Sequence, residues 1–216
     1  MAFTTIEDVR TMTGLTETQV SDDSITVIIT EATKSVCGKI NSPIVRERVS
    51  YIDSVRTNEI NGSNTVFYVK NFNKFIGDRN KDGTVDEDDV IVYLVSSLNV
   101  ESTATVSSVD PSTGKITLSS APASSTQNIY ITYDYSDYSQ EDGEIDAMVE
   151  QATLFLASAY SMSRKDMGGS NSVKFGNITI NKNLSFGFNQ FYNQYKEIIR
   201  ELNGGVGGII ESTTKI

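Results

Sequence analysis

The hydrophobic period changes twice along this chain, and no other feature constrains its fold as strongly. Near both ends apolar residues recur every three or four positions, the spacing of one helix face. In the middle third they alternate in twos, the spacing of one face of a strand. A segment patterned for one period cannot bury its apolar side in the other. The chain therefore reads as helices, a β-rich insert, and helices again. That makes an α+β protein, whose N- and C-terminal helices form one helical bundle around an inserted small antiparallel β-domain.

The boundaries follow from local signals. Ile6, Val9 and Met12 make a short stripe, Thr4 with Glu7 fits a capping box, and Gly14 is placed to stop the helix. Thr16 with Gln19 fits a further capped turn. Ser21 is an N-cap for a longer helix, with Asp22 and Asp23 in its first turn. Its stripe is Ile25, Ile28, Ile29, Ala32, Val36 and Ile40, and Asn41, Ser42 and Pro43 end it. Helix is expected again from about Glu141, with Ser139 and Asp142 as its cap and Ile145, Met148, Val149, Ala152, Leu156, Ala159 and Tyr160 on one face. A final helix runs from about Phe188 to Leu202, with Gly204 just beyond its end. The bundle thus takes residues 1–43 and 137–203, with a hairpin or arm at 172–186. Residues 204–216 are glycine-rich and read as a flexible tail.

Residues 44–136 form the insert. Val66, Phe67, Tyr68 and Val69 are β-prone, and so is the run from Val90 to Val95. Strands are also expected around Thr105 to Val109 and Lys115 to Leu118, either side of a turn at Asp110-Pro111-Ser112-Thr113-Gly114. A strand from Asn128 to Tyr135 alternates cleanly.

One motif carries chemistry. Across residues 78–89, oxygen-bearing side chains fall at loop positions 1, 3, 5, 9 and 12, as Asp78, Asn80, Asp82, Asp86 and Asp89. Gly83 stands at position 6, where the chain turns sharply. Thr84 at position 7 offers its carbonyl, and Val85 at position 8 is apolar. Calcium needs six to eight hard oxygens from a loop that wraps round it, and this is the EF-hand spacing that supplies them. Magnesium fits less well, because it keeps more of its own water. Aspartate at position 12 replaces the usual bidentate glutamate, which resembles the dockerin form of the loop and implies structural binding. The flanks are β-prone where a sensor needs helices. The loop therefore reads as a static calcium staple between strands.

Composition narrows the rest. Acids outnumber bases 28 to 18, a formal charge of −10, which disfavours tight binding to nucleic acid. There is no histidine and one cysteine, Cys37, so His-based catalytic pairs and zinc sites are not expected. Cys37 falls on the apolar side of its helix and reads as a small buried hydrophobe. No apolar segment approaches a membrane span, and no secretory leader is visible, so cytoplasmic synthesis is expected. Glu141, Asp142, Glu144 and Asp146 read as acids at a helix start. Tyr130, Tyr133, Tyr135 and Tyr138 read as a half-buried sheet or subunit interface rather than a sugar platform. Arg46, Glu47 and Arg48 read as surface charges. No enzyme is expected.

Three stretches resemble the head–tail connector proteins of tailed viruses, also called adaptor or head-completion proteins. They are Thr5-Ile6-Glu7-Asp8-Val9 through Leu15 to Ser21-Asp22-Asp23; the segment Val109-Asp110-Pro111-Ser112-Thr113-Gly114-Lys115-Ile116-Thr117-Leu118 with Ile131-Thr132-Tyr133-Asp134-Tyr135; and the closing helix with its glycine-rich tail. The resemblance implies a ring of twelve copies in the virion neck, assembled in the host cytoplasm. That ring would dock on a portal protein and on a downstream neck or tail-completion protein, and DNA would pass through it. The insert with its calcium loop departs from the simplest members. The rival expectation is a dockerin-like extracellular adhesion or carbohydrate-associated module, against which stand the single loop and the lack of a leader.

Overall fold

The computed structural model describes residues 3–49, 58–71, 74–167 and 186–204. The architecture is α+β, with four helices and two antiparallel sheets among the described residues. The arm expected at 172–186 lies outside the described residues except for Phe186, and so does the tail beyond Gly204.

Helix α1 (Ile6–Thr13) is capped one residue later than the spacing of Thr4 and Glu7 suggests. Thr5 has the extended backbone an N-cap needs. Its hydroxyl accepts from the Asp8 N–H at 3.2 Å, while Asp8 accepts from the Thr5 N–H at 3.1 Å. Thr4 is buried instead. Gly14, at φ 68°, turns the chain out of the helix. Arg10 then fastens the connection to α2 (Asp22–Ile40): it pairs with Asp22 and donates to the carbonyls of Leu15 and Val20. Ser21 caps α2, and Ile25, Ile28, Ile29, Ala32, Val36 and Ile40 are all buried.

The strands are β1 (Ser42–Arg48), β2 (Val66–Tyr68), β3 (Phe75–Gly77), β4 (Ile91–Ser96), β5 (Glu101–Ala104), β6 (Val106–Asp110), β7 (Lys115–Leu118) and β8 (Thr126–Ser136). The long strand β8 organises the larger sheet. β1 pairs along one side of it, and β3 and β4 lie end to end along the other, with β5 outside β4. The smaller sheet has the order β2-β7-β6. Ile129, Ile131 and Tyr133 of β8 share one core with Val92, Phe67, Ile116 and Leu118, so both sheets contribute to it. This is the period-two pattern doing what it predicts.

β1, β3 and β5 carry no such pattern. β1 begins Ser42-Pro43 and ends in charges, and β5 is the polar, exposed run Glu-Ser-Thr-Ala. Their backbone partners on β8 and β4 make them strands. Proline is tolerated in β1 because that strand pairs on one side only.

Helix α3 (Ala147–Met167) starts about six residues later than expected. Gly143 takes φ 80°, and Asp146 rather than Ser139 receives the first helical N–H, from Met148 at 2.8 Å. Glu141, Asp142 and Glu144 therefore lie in the turn before the helix. α4 (Phe186–Leu202) ends at Gly204, φ 72°, as its position suggests. A second core draws Val9 from α1, the α2 stripe, Val149, Ala152 and Leu156 from α3, and Tyr195 and Leu202 from α4. Phe155 and Phe191 stack across α3 and α4 at 6.4 Å.

Leu156 is fully buried in this core. Leu156→Ala should lower unfolding free energy by about 2–5 kcal/mol in urea titration. Thr5→Ala removes one cap and should cost only about 1 kcal/mol in the same assay.

Candidate metal centre

Residues 78–89 leave the larger sheet and return to it almost where they left. Gly77, the last residue of β3, pairs with Asp134 of β8, and Ile91, the first of β4, pairs with Thr132. The partners are two residues apart on one strand, about 7 Å. The loop is thus a closed excursion whose base β8 holds shut. It contains only a short 3-10 turn, Glu87–Asp89, and its flanks are strands.

Two carboxylates knit the loop from inside. Asp78 Oδ1 accepts from the N–H groups of Lys81 (2.5 Å) and Asp82 (3.2 Å), and its Oδ2 from Gly83 (2.7 Å). Asp89 Oδ1 accepts from Arg79 (2.6 Å) and Asn80 (2.8 Å), and its Oδ2 from Asp86 (3.0 Å). Position 1 thereby holds the front of the loop and position 12 ties its two ends together. Gly83 sits at φ 94°, a conformation that suits a residue without Cβ. Val85 packs on the β core.

Asp78 and Asp89 are both fully buried, and neither enters an ion pair among the described residues. Burial penalises their charged forms. It raises the Asp78 pKa and pushes Asp89 up to about 6, with the loop N–H groups opposing both shifts, the Asp82 charge adding to that of Asp78 and the Asp78 charge to that of Asp89. Two desolvated acids without a counter-ion favour a cation or a proton beside them.

The other candidates are arranged differently. Asn80 and Asp82 are exposed and hydrogen-bond to one another, and Asp82 also accepts from the Thr84 N–H at 2.9 Å. Asp86 caps the 3-10 turn by accepting from Asp88. Among the described residues, no three acid, cysteine or histidine side chains gather closely enough to hold a metal ion. The donor chemistry of Asp78, Asn80, Asp82, Thr84, Asp86 and Asp89 suits calcium. Within the loop, Asp78 and Asp89 are the inward pair.

Beneath the loop lies a buried polar junction that no local motif announces. Asn41, the C-cap of α2, donates to the Asp78 carbonyl at 2.8 Å. Gln140, fully buried beyond the end of β8, donates to Asn41 Oδ1 at 2.6 Å and accepts from the Asp78 N–H at 3.0 Å. Cys37 places its thiol 3.6 Å from Asp78 Oδ2 and 3.8 Å from Gln140 Oε1. It is buried as expected, but it faces polar atoms, and burial followed by the Asp78 charge pushes its pKa up. A Cβ at Gly77 would meet the Asn41 amide at 2.9 Å, so that position must stay bare for Asn41 to reach Asp78.

The remaining clusters have structural work. Tyr133 is buried and donates to Glu47 at 2.7 Å; Tyr138 donates to the Leu202 carbonyl at 2.8 Å. Tyr130 and Tyr93 flank the Arg46 guanidinium, 5.2 and 4.8 Å from their centroids, while Arg46 also pairs with Glu101. The four tyrosines of 130–138 therefore do not form one platform, and Arg46 and Glu47 are more than surface charges.

Gly77→Ala should displace Asn41 and leave buried partners unmet, costing about 1–3 kcal/mol in chemical denaturation. In a double-mutant cycle, Asn41→Ala and Gln140→Ala should couple by about 0.5–3 kcal/mol; strict additivity would show that the junction acts as separate contacts.

Comparison of the chain with protein-family models, with curated proteins and with solved structures finds no match.

Proposed function

We propose that this chain is a structural assembly protein of the head–tail connector kind. One observation carries the reading: side chains from helices at both ends of the chain enter one hydrophobic cluster, while the residues between them pack a separate one. On this reading α1 to α4 form one bundle, from residues 1–43 and 137–203, and the β-domain of 44–136 is looped out of it. The bundle would build a ring of twelve copies against a portal protein, with a neck or tail-completion protein on the other side. The net charge of −10 supports a channel that DNA passes without sticking. The role is assembly and not catalysis, in the neck of a virion. No helix among the described residues is long and apolar enough to cross a membrane.

The loop at 78–89 is part of the same proposal. Asp78 and Asp89 would hold a calcium ion from inside, with Asn80, Asp82, Thr84 and Asp86 as the further ligands. A bound ion would supply the positive charge that the two buried acids lack. Because the loop is closed by β8 and rests on Asn41 and Gln140, binding would stiffen the insert against the helices.

Electron microscopy of the purified protein, alone and mixed with a portal protein, tests the assembly. Rings are expected in at least one sample; a particle that stays monomeric in both overturns the connector reading. Calcium should raise the melting temperature relative to EGTA, and an unchanged melting temperature would sink the calcium assignment. The gain should be larger at pH 7 than at pH 5, because protons compete for the raised-pKa carboxylates at the lower pH.

A further inference from the structure

Three loops meet at the end of the β-domain away from Asp78: residues 61–65, 96–100 and 119–128. The Ser97 N–H donates to the Ser125 carbonyl at 3.0 Å, and a Cβ at Gly62 would lie 3.7 Å from Ser124. These loops hold no charged residue. The absence extends into the strands behind them: no acid or base occurs between Glu59 and Lys70, between Asp89 and Glu101, or between Lys115 and Asp134. In a chain that is 21% charged overall, this is a marked local neutrality.

The tip of this surface is apolar and held in shape. Leu98 is 83% exposed and Val100 63% exposed. The Ser96 hydroxyl accepts from the N–H groups of both, at 3.3 and 3.2 Å, and Asn99 between them sits at φ 57°, which asparagine tolerates better than most residues. The turn therefore presents two aliphatic side chains on a backbone that is already ordered, which lowers the entropy cost of binding.

The chemistry selects the partner. Nucleic acid and anionic lipid need cations, and these loops have none. Sugars are held by aromatic faces, and the loops carry no aromatic residue. A protein surface remains, and its closest electrostatic match is the same surface on another copy. Two chains of charge −10 repel, so the least opposed place for them to meet is where neither carries charge. A two-fold contact sets each patch against itself. Serine, threonine, asparagine and glutamine suit this, because each both donates and accepts hydrogen bonds.

We propose that the loop end of the β-domain is a two-fold docking surface for a second copy of this chain, anchored by Leu98 and Val100. The contact goes beyond the ring reading and does not depend on it. It pairs whatever unit the helices assemble, monomer to dimer or ring to double ring.

Analytical ultracentrifugation of the full chain tests it. Pairing should strengthen when NaCl rises from about 0.02 to about 0.5 M, since salt screens the repulsion and the contact itself has no ion pairs to lose. Leu98→Asp with Val100→Asp should weaken pairing at least about tenfold. Both residues are exposed, so the melting temperature of that variant should hold. An unpaired unit at every concentration, or wild-type pairing in the doubly substituted chain, overturns the proposal. Single rings that form without pairing would leave the connector reading intact while this one falls.

Discussion

The buried amide of Gln140 stands where three parts of the chain have to agree. α2 ends at Asn41 and passes directly into β1; β3 ends beside Asp78; and Gln140 follows β8 on the way to α3. Asn41, Asp78 and Gln140 are joined by hydrogen bonds of 2.6 to 3.0 Å; Asp78 and Gln140 are fully buried and Asn41 half-buried. A buried polar group is costly unless it is paired, so each of these bonds requires the other two segments to be in register. The helices and the sheets pack separate hydrophobic clusters. This junction gives a directional link between them, which apolar packing alone does not provide.

The loop above it combines a fixed base with an unbalanced interior. β8 holds its two ends together, so little closure entropy remains to be lost when anything binds. Its two inward acids are satisfied by backbone N–H groups but have no ion-paired cation among the described residues, and burial raises both pKa values. The same backbone N–H groups that order the loop fix the positions of both carboxylates. Strands on both sides leave no helix pair beside the loop to swing.

Elsewhere the links between elements are made by residues whose types gave no warning. Arg46 crosses from β1 over Tyr130 of β8 and Tyr93 of β4 to reach Glu101 on β5, spanning the width of the larger sheet. Tyr133 and Glu47 tie β8 to β1 through a buried hydroxyl. Tyr138 reaches the last turn of α4.

The sequence by itself determined the elements whose signals are local. The α2 cap and stripe, the glycine stops at 14 and 204 and the alternation of β8 are each set within one or two turns of chain, and each is found where it was expected. Only the tertiary structure decided the rest. β1 and β5 are strands because β8 and β4 offer them backbone partners, not because their own residues alternate. α3 starts late because Gly143 breaks the turn and Asp146 supplies a better cap than Ser139. Of the six oxygen-bearing positions in the loop, the fold turns two inward and leaves the Asn80–Asp82 pair in solvent. Asn41 and Gln140 are 99 residues apart, and nothing at either position signals the other. The spacing 78–89 sets out which oxygen-bearing residues stand in the loop. Which of them are buried, and which helix the loop rests on, depends on contacts distant in sequence, because burial and hydrogen-bond partners are properties of the folded chain.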